Sequence, residues 1–414
     1  MSPFRIATCA ATLLALVAAF GVHAQAVDCG KNHYILEQQV PAWVPTGNLN
    51  VPRSGHTATL LPDGKVLVAG GMDSAFAALA SAELYDPATG GWSPTGSLVA
   101  PRRVHTATLL PSGKVLVVGG DSIDAPPERL GLTGSAELYD PISGSWSPTG
   151  SLNIPRGAFT ATLLSTGKVL VAGGVGDSDE TLHSAELYDP ATGTWGFTGN
   201  LVSPRFFHTA TPLLDGRILV VAGWDDDFFQ TVTSAVELYD PLAGSWSSAA
   251  SLDKGRVFHT ATRLQDGRVV VAGGYASNPP AGFGQYVPTS FDTADLFDPI
   301  GGTWTSAGNL GFAREGHTAT LLRGGEVLVA GGFDWNSRLD VDGAEVYEAA
   351  SATWTETATL GSARLRHTAT LLPDGKVLVA GGTFVTPAYE NIPLGSAELY
   401  RVPAHCVRAK RAGS

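Results

Sequence analysis

Short apolar runs separated by turn residues recur along the chain. In the first copy, His56-Thr57-Ala58-Thr59-Leu60-Leu61 is a β-rich segment with polar and apolar residues interleaved, and this predicts a strand (A). Asp63-Gly64 follows, a pair that tolerates the positive φ of a tight hairpin. Val66-Leu67-Val68-Ala69 is an apolar strand (B) that ends at Gly70-Gly71. After a variable stretch come Ala82-Glu83-Leu84-Tyr85 (strand C) and a segment holding Trp92 (strand D). The unit spans about 50 residues and recurs seven times, which signals a stacked array. Its histidine position falls at 56, 105, 208, 259, 317 and 367, with Phe159 in the third copy. A four-stranded antiparallel sheet repeated around an axis is a propeller blade, so the expected fold is an all-β, seven-bladed β-propeller.

The paired glycines, a following Tyr and a Trp a few residues later resemble the kelch repeat. The pairs are Gly70-Gly71, Gly119-Gly120, Gly173-Gly174, Gly273-Gly274, Gly331-Gly332 and Gly381-Gly382, and the fourth copy departs with Ala222-Gly223. The resemblance covers about residues 40–402. It implies a β-propeller and says little about chemistry. The last A-B-C set has no Trp after it, whereas Trp43 precedes the first set. The segment around Trp43 is therefore expected to supply the outer strand of the last blade, which closes the ring and removes two open sheet edges.

Composition changes the picture mainly at the two ends. Residues 1–26 read as a secretory signal: Arg5, an apolar stretch from about Ala10 to Phe20, and cleavage after Ala26 or Ala24. Residues 27–402 then form the propeller and 403–414 a short basic tail. The expected localisation is secreted, periplasmic or extracellular. Loss of Arg5 takes the net charge from −12 to −13, and an acidic chain without a basic cluster is a poor nucleic-acid binder. No membrane insertion is expected, because the apolar run is too short to span. Cys29 and Cys406 remain after cleavage and fall at the same end of the last blade, so a disulfide between them is expected. The protein is expected to be a monomer.

Arg53, Arg102, Arg156, Arg205, Arg256, Arg314 and Arg364 precede strand A in the seven copies, and strand C carries Glu83, Glu137, Glu186, Glu237, Asp295, Glu345 and Glu398. Equal numbers in identical places suggest buried ion pairs. The same arginine position grips acidic peptides in some kelch propellers, so the resemblance also implies a minority binding role. The six histidines sit in different blades, too far apart to converge on one metal, and are expected to be hydrogen-bonded at the blade start. Thr57, Thr59 and their counterparts are expected to serve inter-blade contacts.

Variable B–C connections on a rigid scaffold are where function concentrates. Departures from the repeat gather in copies three to six. The expected ligand site uses Trp224, Phe228, Tyr286 and Trp335 for ring contacts, with Asp226 and Arg205 as polar partners. The expected ligand is a glycan or a protein; packing of these aromatics into a small local core is the other reading. No catalytic residue, metal site or cofactor is assigned, although Asp-rich loops suit Ca²⁺ in ligand type. Kelch propellers include copper oxidases acting on galactose and sialic-acid mutarotases. The oxidase route needs a Cys–Tyr crosslinked cofactor, and both remaining cysteines lie outside the blades. A mutarotase-like, carbohydrate-active enzyme is therefore the alternative to a binding module.

Overall fold

The computed structural model describes residues 40–122, 131–225, 231–278, 287–386 and 390–401. The expected signal, Cys29 and Cys406 lie outside them, as do Asp226, Phe228 and Tyr286. The described residues form seven four-stranded antiparallel sheets. The first holds Thr57–Leu60, Val66–Ala69, Ala82–Asp86 and Gly91–Pro94 in sequence order. The last joins Thr368–Leu371, Val377–Ala380 and Ala397–Arg401 to Ala42–Pro45 from the start of the chain, with Trp43 opposite Tyr400. The fold is a seven-bladed β-propeller closed by an N-terminal outer strand, as the tryptophan count predicts.

Strand B is buried at every position, because both of its faces meet protein. Val66 and Val68 pack toward blade 7 with Leu372, Leu378 and Ala380, whereas Leu67 and Ala69 pack toward blade 2 with Val115 and Val117. Seven such apolar clusters lie between successive blades, so the core is a ring of seams. Each repeat alone would expose both faces of strand B, which is why one copy cannot stand by itself.

Polar bonds fix the register of each seam. The second glycine of each pair donates its N–H to the arginine carbonyl of the next blade, as Gly71 does to Arg102 at 2.9 Å. A Cβ on the first glycine, Gly70, would lie 2.6 Å from that carbonyl and from the His105 ring. Near the outer edge, the Trp92 indole N–H donates to the Gly47 carbonyl at 2.7 Å, and the Tyr85 hydroxyl meets Thr46 Oγ1 at 2.8 Å. Near the axis, His105 Nε2 meets Thr57 Oγ1 at 3.1 Å, and the same bond spans the five other seams entered by a histidine. The histidines are therefore inter-blade links, and their Nε2 atoms are committed to threonine. Burial, with a smaller push from the nearby arginine, lowers their pKa values, to about 3 for His105, His259 and His367.

Phe159 interrupts this pattern. It packs into the seam between blades 2 and 3, and Thr106 Oγ1, which a histidine would meet, is buried without a hydrogen-bond partner. A second interruption lies farther out. Tyr347 faces Ala307 where other seams have threonine, and its hydroxyl is unpartnered, while Phe297 sits opposite Ala249.

An unpaired buried hydroxyl costs about 1–3 kcal/mol, and a made bond contributes about 1 kcal/mol. Thr106→Val should therefore raise the melting temperature, whereas Thr57→Val, which breaks the bond to His105, should lower it. Thermal unfolding of both variants at pH 7.5 checks this; shifts of the same sign would refute the assignment. Closure makes a separate demand. Removing residues 40–50 should open the sheet edge along Ala397–Arg401 and strip Trp43 from Tyr400, whose ring centroids lie 5.1 Å apart. A melting temperature equal to that of the full chain would show that this strand does not close the ring.

Candidate functional site

Each blade begins with Arg-x-x-His, with Phe159 for the histidine in the third, and this tetrapeptide builds the face that carries the B–C connections. The arginine is fully buried in six copies and 2% exposed in Arg256. Arg53 donates from Nη1 to the carbonyls of Gly70 and Ser81, both at 2.9 Å, and from Nη2 to Glu83 at 2.9 Å. Glu83 also accepts the backbone N–H of Asn50 and Val51. One ion pair thus holds the stems of the B–C and D–A connections together. Burial lowers the arginine pKa and Glu83 opposes that shift. The pairing expected from equal numbers is present in all seven blades, within each blade.

The two middle positions vary and lie at the end that bears the B–C connections. The first of them bridges to the residue after the glycine pair: Phe206 to Trp224, Val257 to Tyr275 and Glu315 to Phe333. The second has a left-handed backbone in every blade, including Phe207 (φ 49°), Phe258 (φ 51°) and Arg366 (φ 53°). Bulky residues rarely adopt this conformation, and the fold holds them there through inter-blade bonds. Arg366 N–H donates to the Gly316 carbonyl and Gly316 N–H to the Phe258 carbonyl, each at 3.0 Å.

These positions assemble an aromatic series across blades 4 to 6. Phe207 lies 4.5 Å from Phe258, Phe258 stacks on Tyr275 at 5.9 Å with 5° between ring planes, and Tyr275 lies 6.1 Å from Trp335. All four rings are half-buried, so each keeps part of its surface open. The two-stranded ribbons Tyr275–Asn278 with Val287–Ser290, and Phe333–Asp334 with Leu339–Asp340, support the series. They are tied together where Trp335 N–H donates to Ser290 Oγ and Asn336 Nδ2 to the Ser290 carbonyl, both at 2.9 Å.

Glu315 lies under this series. It is 3% exposed, and among the described residues its Oε2 has no hydrogen-bond partner. Burial raises its pKa to about 7, against the pull of Arg366 and the Trp335 indole. The Trp335 Nε1 closes no hydrogen bond of ordinary geometry. Tyr275, close to the same carboxyl, is raised to about 12, mainly by burial and then by Glu315. Asp340, on the neighbouring ribbon strand, is raised to about 6 by burial, while its bond from the Val385 N–H at 2.7 Å opposes the shift.

Of the residues singled out from sequence, Trp335 sits in the series. Trp224 is 3% exposed and packs with Val175, Phe206 and Val257, so it shores up the series from below, as the local-core reading anticipates. Arg205 is fully buried in its pair with Glu237, which leaves it no surface for a ligand. Both roles differ from the ligand contacts expected of them, because the repeat commits the arginine to the blade and the long loop folds its tryptophan inward. Asp334 accepts the N–H groups of Asn336 and Ser337 and shapes that turn. Glu315, Phe258, Tyr275 and Arg366 are additions. The signal for them is the pair of variable positions inside an otherwise constant tetrapeptide.

The kelch motif profile matches residues 205–252. With seven copies of that unit in register and the propeller they build, the assignment is decided. The chain is a kelch-repeat protein. Solved structures agree on the fold. A fungal alcohol oxidase, described as having catalytic diversity among the AA5 family and in complex with copper, superposes with a TM-score of 0.67 at 20% identity, covering 87% of this chain and 76% of that one. The structure of YjhT superposes with a TM-score of 0.59 at 16% identity, covering 75% of this kelch chain and 99% of that one. No curated protein matches the sequence.

Glu315 makes a prediction about stability. Between about pH 4.5 and 7 the folded chain holds a proton on Glu315 that the unfolded chain has lost, so its contribution to stability falls as pH rises through that window. Glu315→Gln should leave stability unchanged below pH 4.5 and raise it by about 2–3 kcal/mol above pH 7. The difference between variant and parent in denaturant unfolding isolates this effect from the six histidines, whose lowered pKa values act in the opposite sense. A difference that does not change with pH would refute the buried, unpartnered carboxyl.

Proposed function

We propose that this kelch propeller is an exported, monomeric binding module that takes a glycan or protein ligand on the face bearing the B–C connections, at blades 4 to 6. The observation that carries the reading is the series Phe207, Phe258, Tyr275 and Trp335, half-exposed and held by backbone bonds beside a buried carboxyl. Rigid rings that lose little freedom on binding are good anchors, and a few polar groups among them give orientation. A depression at the other end, between blades 2 and 3, is lined by Leu110, Lys114, Lys168 and Asp189. It favours no particular ligand, since the hairpins there are alike from blade to blade.

A second reading, a carbohydrate-active enzyme of mutarotase type, draws on Glu315, because a carboxyl poised near neutrality suits proton transfer. Among the described residues, no group of three or more His, Cys, Asp or Glu side chains is placed to hold a metal ion.

Glycan-array and protein-capture binding, with analysis of any sugar recovered, separates these readings. Tyr275→Ala and Trp335→Ala should each weaken binding by about 1–3 kcal/mol if the rings are anchors. Trp92→Ala should instead unfold the blade. A sugar returned chemically changed would favour the enzyme. Normal binding by both ring variants would remove the site from this face.

A further inference from the structure

We propose that the aromatic series and Glu315 form a receptor for a guanidinium group, an arginine side chain of a partner protein, and that Arg366 is its internal stand-in. This inference rests on the binding-face reading above and deepens it. Arg366 is exposed, and its guanidinium carbon lies 5.7 Å from the centroid of the Phe258 ring. The site therefore already draws a cation onto a ring face. Among the described residues, Arg366 makes no salt bridge and Glu315 Oε2 has no hydrogen-bond partner. A carboxylate accepts best from a charged planar donor that can reach it between rings, and Arg366, tied by its own backbone to Gly316, reaches the ring without closing that bond.

Several features favour a cation over a neutral sugar. Tyr275 and Trp335 offer electron-rich faces, and Trp335 is the ring type that attracts cations most strongly. The chain carries a net charge of −12, which would steer a basic partner toward it. The charged groups near Glu315 are Arg366, which competes with a ligand cation, and Tyr275, which is neutral at physiological pH. A ligand guanidinium entering from solvent would take the place of Arg366 on the Phe258 face, above the buried carboxylate, while Arg366 moves away into water.

The test uses the full chain and N-acetyl-arginine amide as probe at pH 8, where Glu315 is ionised. N-acetyl-citrulline amide is the neutral isostere and glucosamine the amino-sugar control. Binding is read by calorimetry and by tryptophan fluorescence compared with that of Trp335→Phe. Arginine amide should bind and citrulline amide should not. Arg366→Ala should tighten arginine binding roughly two- to fivefold, because one exposed cation–π competitor is gone. Glu315→Gln should abolish it. Arg366 is exposed, so its variant folds even if the Glu315 variant does not. Weaker binding in Arg366→Ala would make Arg366 a ligand contact for an anion or a hydroxyl, and would overturn the proposal. So would equal binding of citrulline amide, preference for glucosamine, or no binding of arginine amide by either protein at millimolar concentration. In each of those cases a glycan held on the same rings would leave the binding face standing, and loss of every ligand response at Tyr275 and Trp335 would remove both.

Discussion

The buried arginine–carboxylate pair in each blade is the interaction on which the rest depends. A guanidinium has five N–H donors in a fixed fork, and here they gather the carbonyls at the end of strand B and the start of strand C together with an acid of strand C. The acid in turn holds the N–H groups of the incoming D–A segment. The arginine carbonyl accepts the glycine N–H of the preceding blade. One residue thus closes two connections within its blade and one seam to its neighbour. A charge removed from water in this way is costly, and loss of either partner leaves the other stranded. The invariance of the pair among seven copies has that physical reason. It also explains why variable residues two positions away can be displayed without disturbing the blade.

The weakest of the seven pairs lies where the repeat is most altered. Asp295 replaces glutamate in blade 5, is partly exposed, and leaves Arg256 with bonds of 3.2 and 3.3 Å to the Gly273 and Thr293 carbonyls. The neighbouring seam carries Ala222 in place of the first glycine, at φ 56°, in the position where a Cβ crowds the arginine carbonyl of the next blade. Phe297, Ala249, Ala307 and the unpartnered Tyr347 hydroxyl belong to the same sector. The aromatic series sits above it. Apart from Phe159 at the seam of blades 2 and 3, departures that loosen seams and departures that build the series share blades 4 to 6.

Most of the fold was legible in the sequence because its determinants are local and repeated. The glycine pairs and the Arg–acid positions recur six and seven times, a glycine closes all seven A–B hairpins, and the single unpaired Trp43 reveals the closing strand. The candidate site was less legible because its members come from blades 4, 5, 6 and 7 and meet only in the ring. Trp335 stands out in a loop, but Glu315 and Arg366 occupy positions that hold Ser54 and Gly55 in the first copy. Nothing in composition marks them. Trp224 misleads for the opposite reason: an aromatic beside Asp225 reads as exposed, yet its bridge to Phe206 turns it into the small core beneath the series. Position within a repeat, rather than residue type, separates the two cases.

The frame and the site also differ in how they respond to protons. The six seam histidines are buried neutral and stay so across the neutral range, since burial holds their pKa values far below 6.5. Their cost appears only on acidification, when the unfolded chain takes up protons that the folded chain refuses. Burial raises four carboxyls, Asp121, Asp295, Glu315 and Asp340, and the two raised to about 7 and about 6, Glu315 and Asp340, both belong to blade 6. A change of pH between 6 and 8 therefore acts on the candidate site while the histidine seams hold their register.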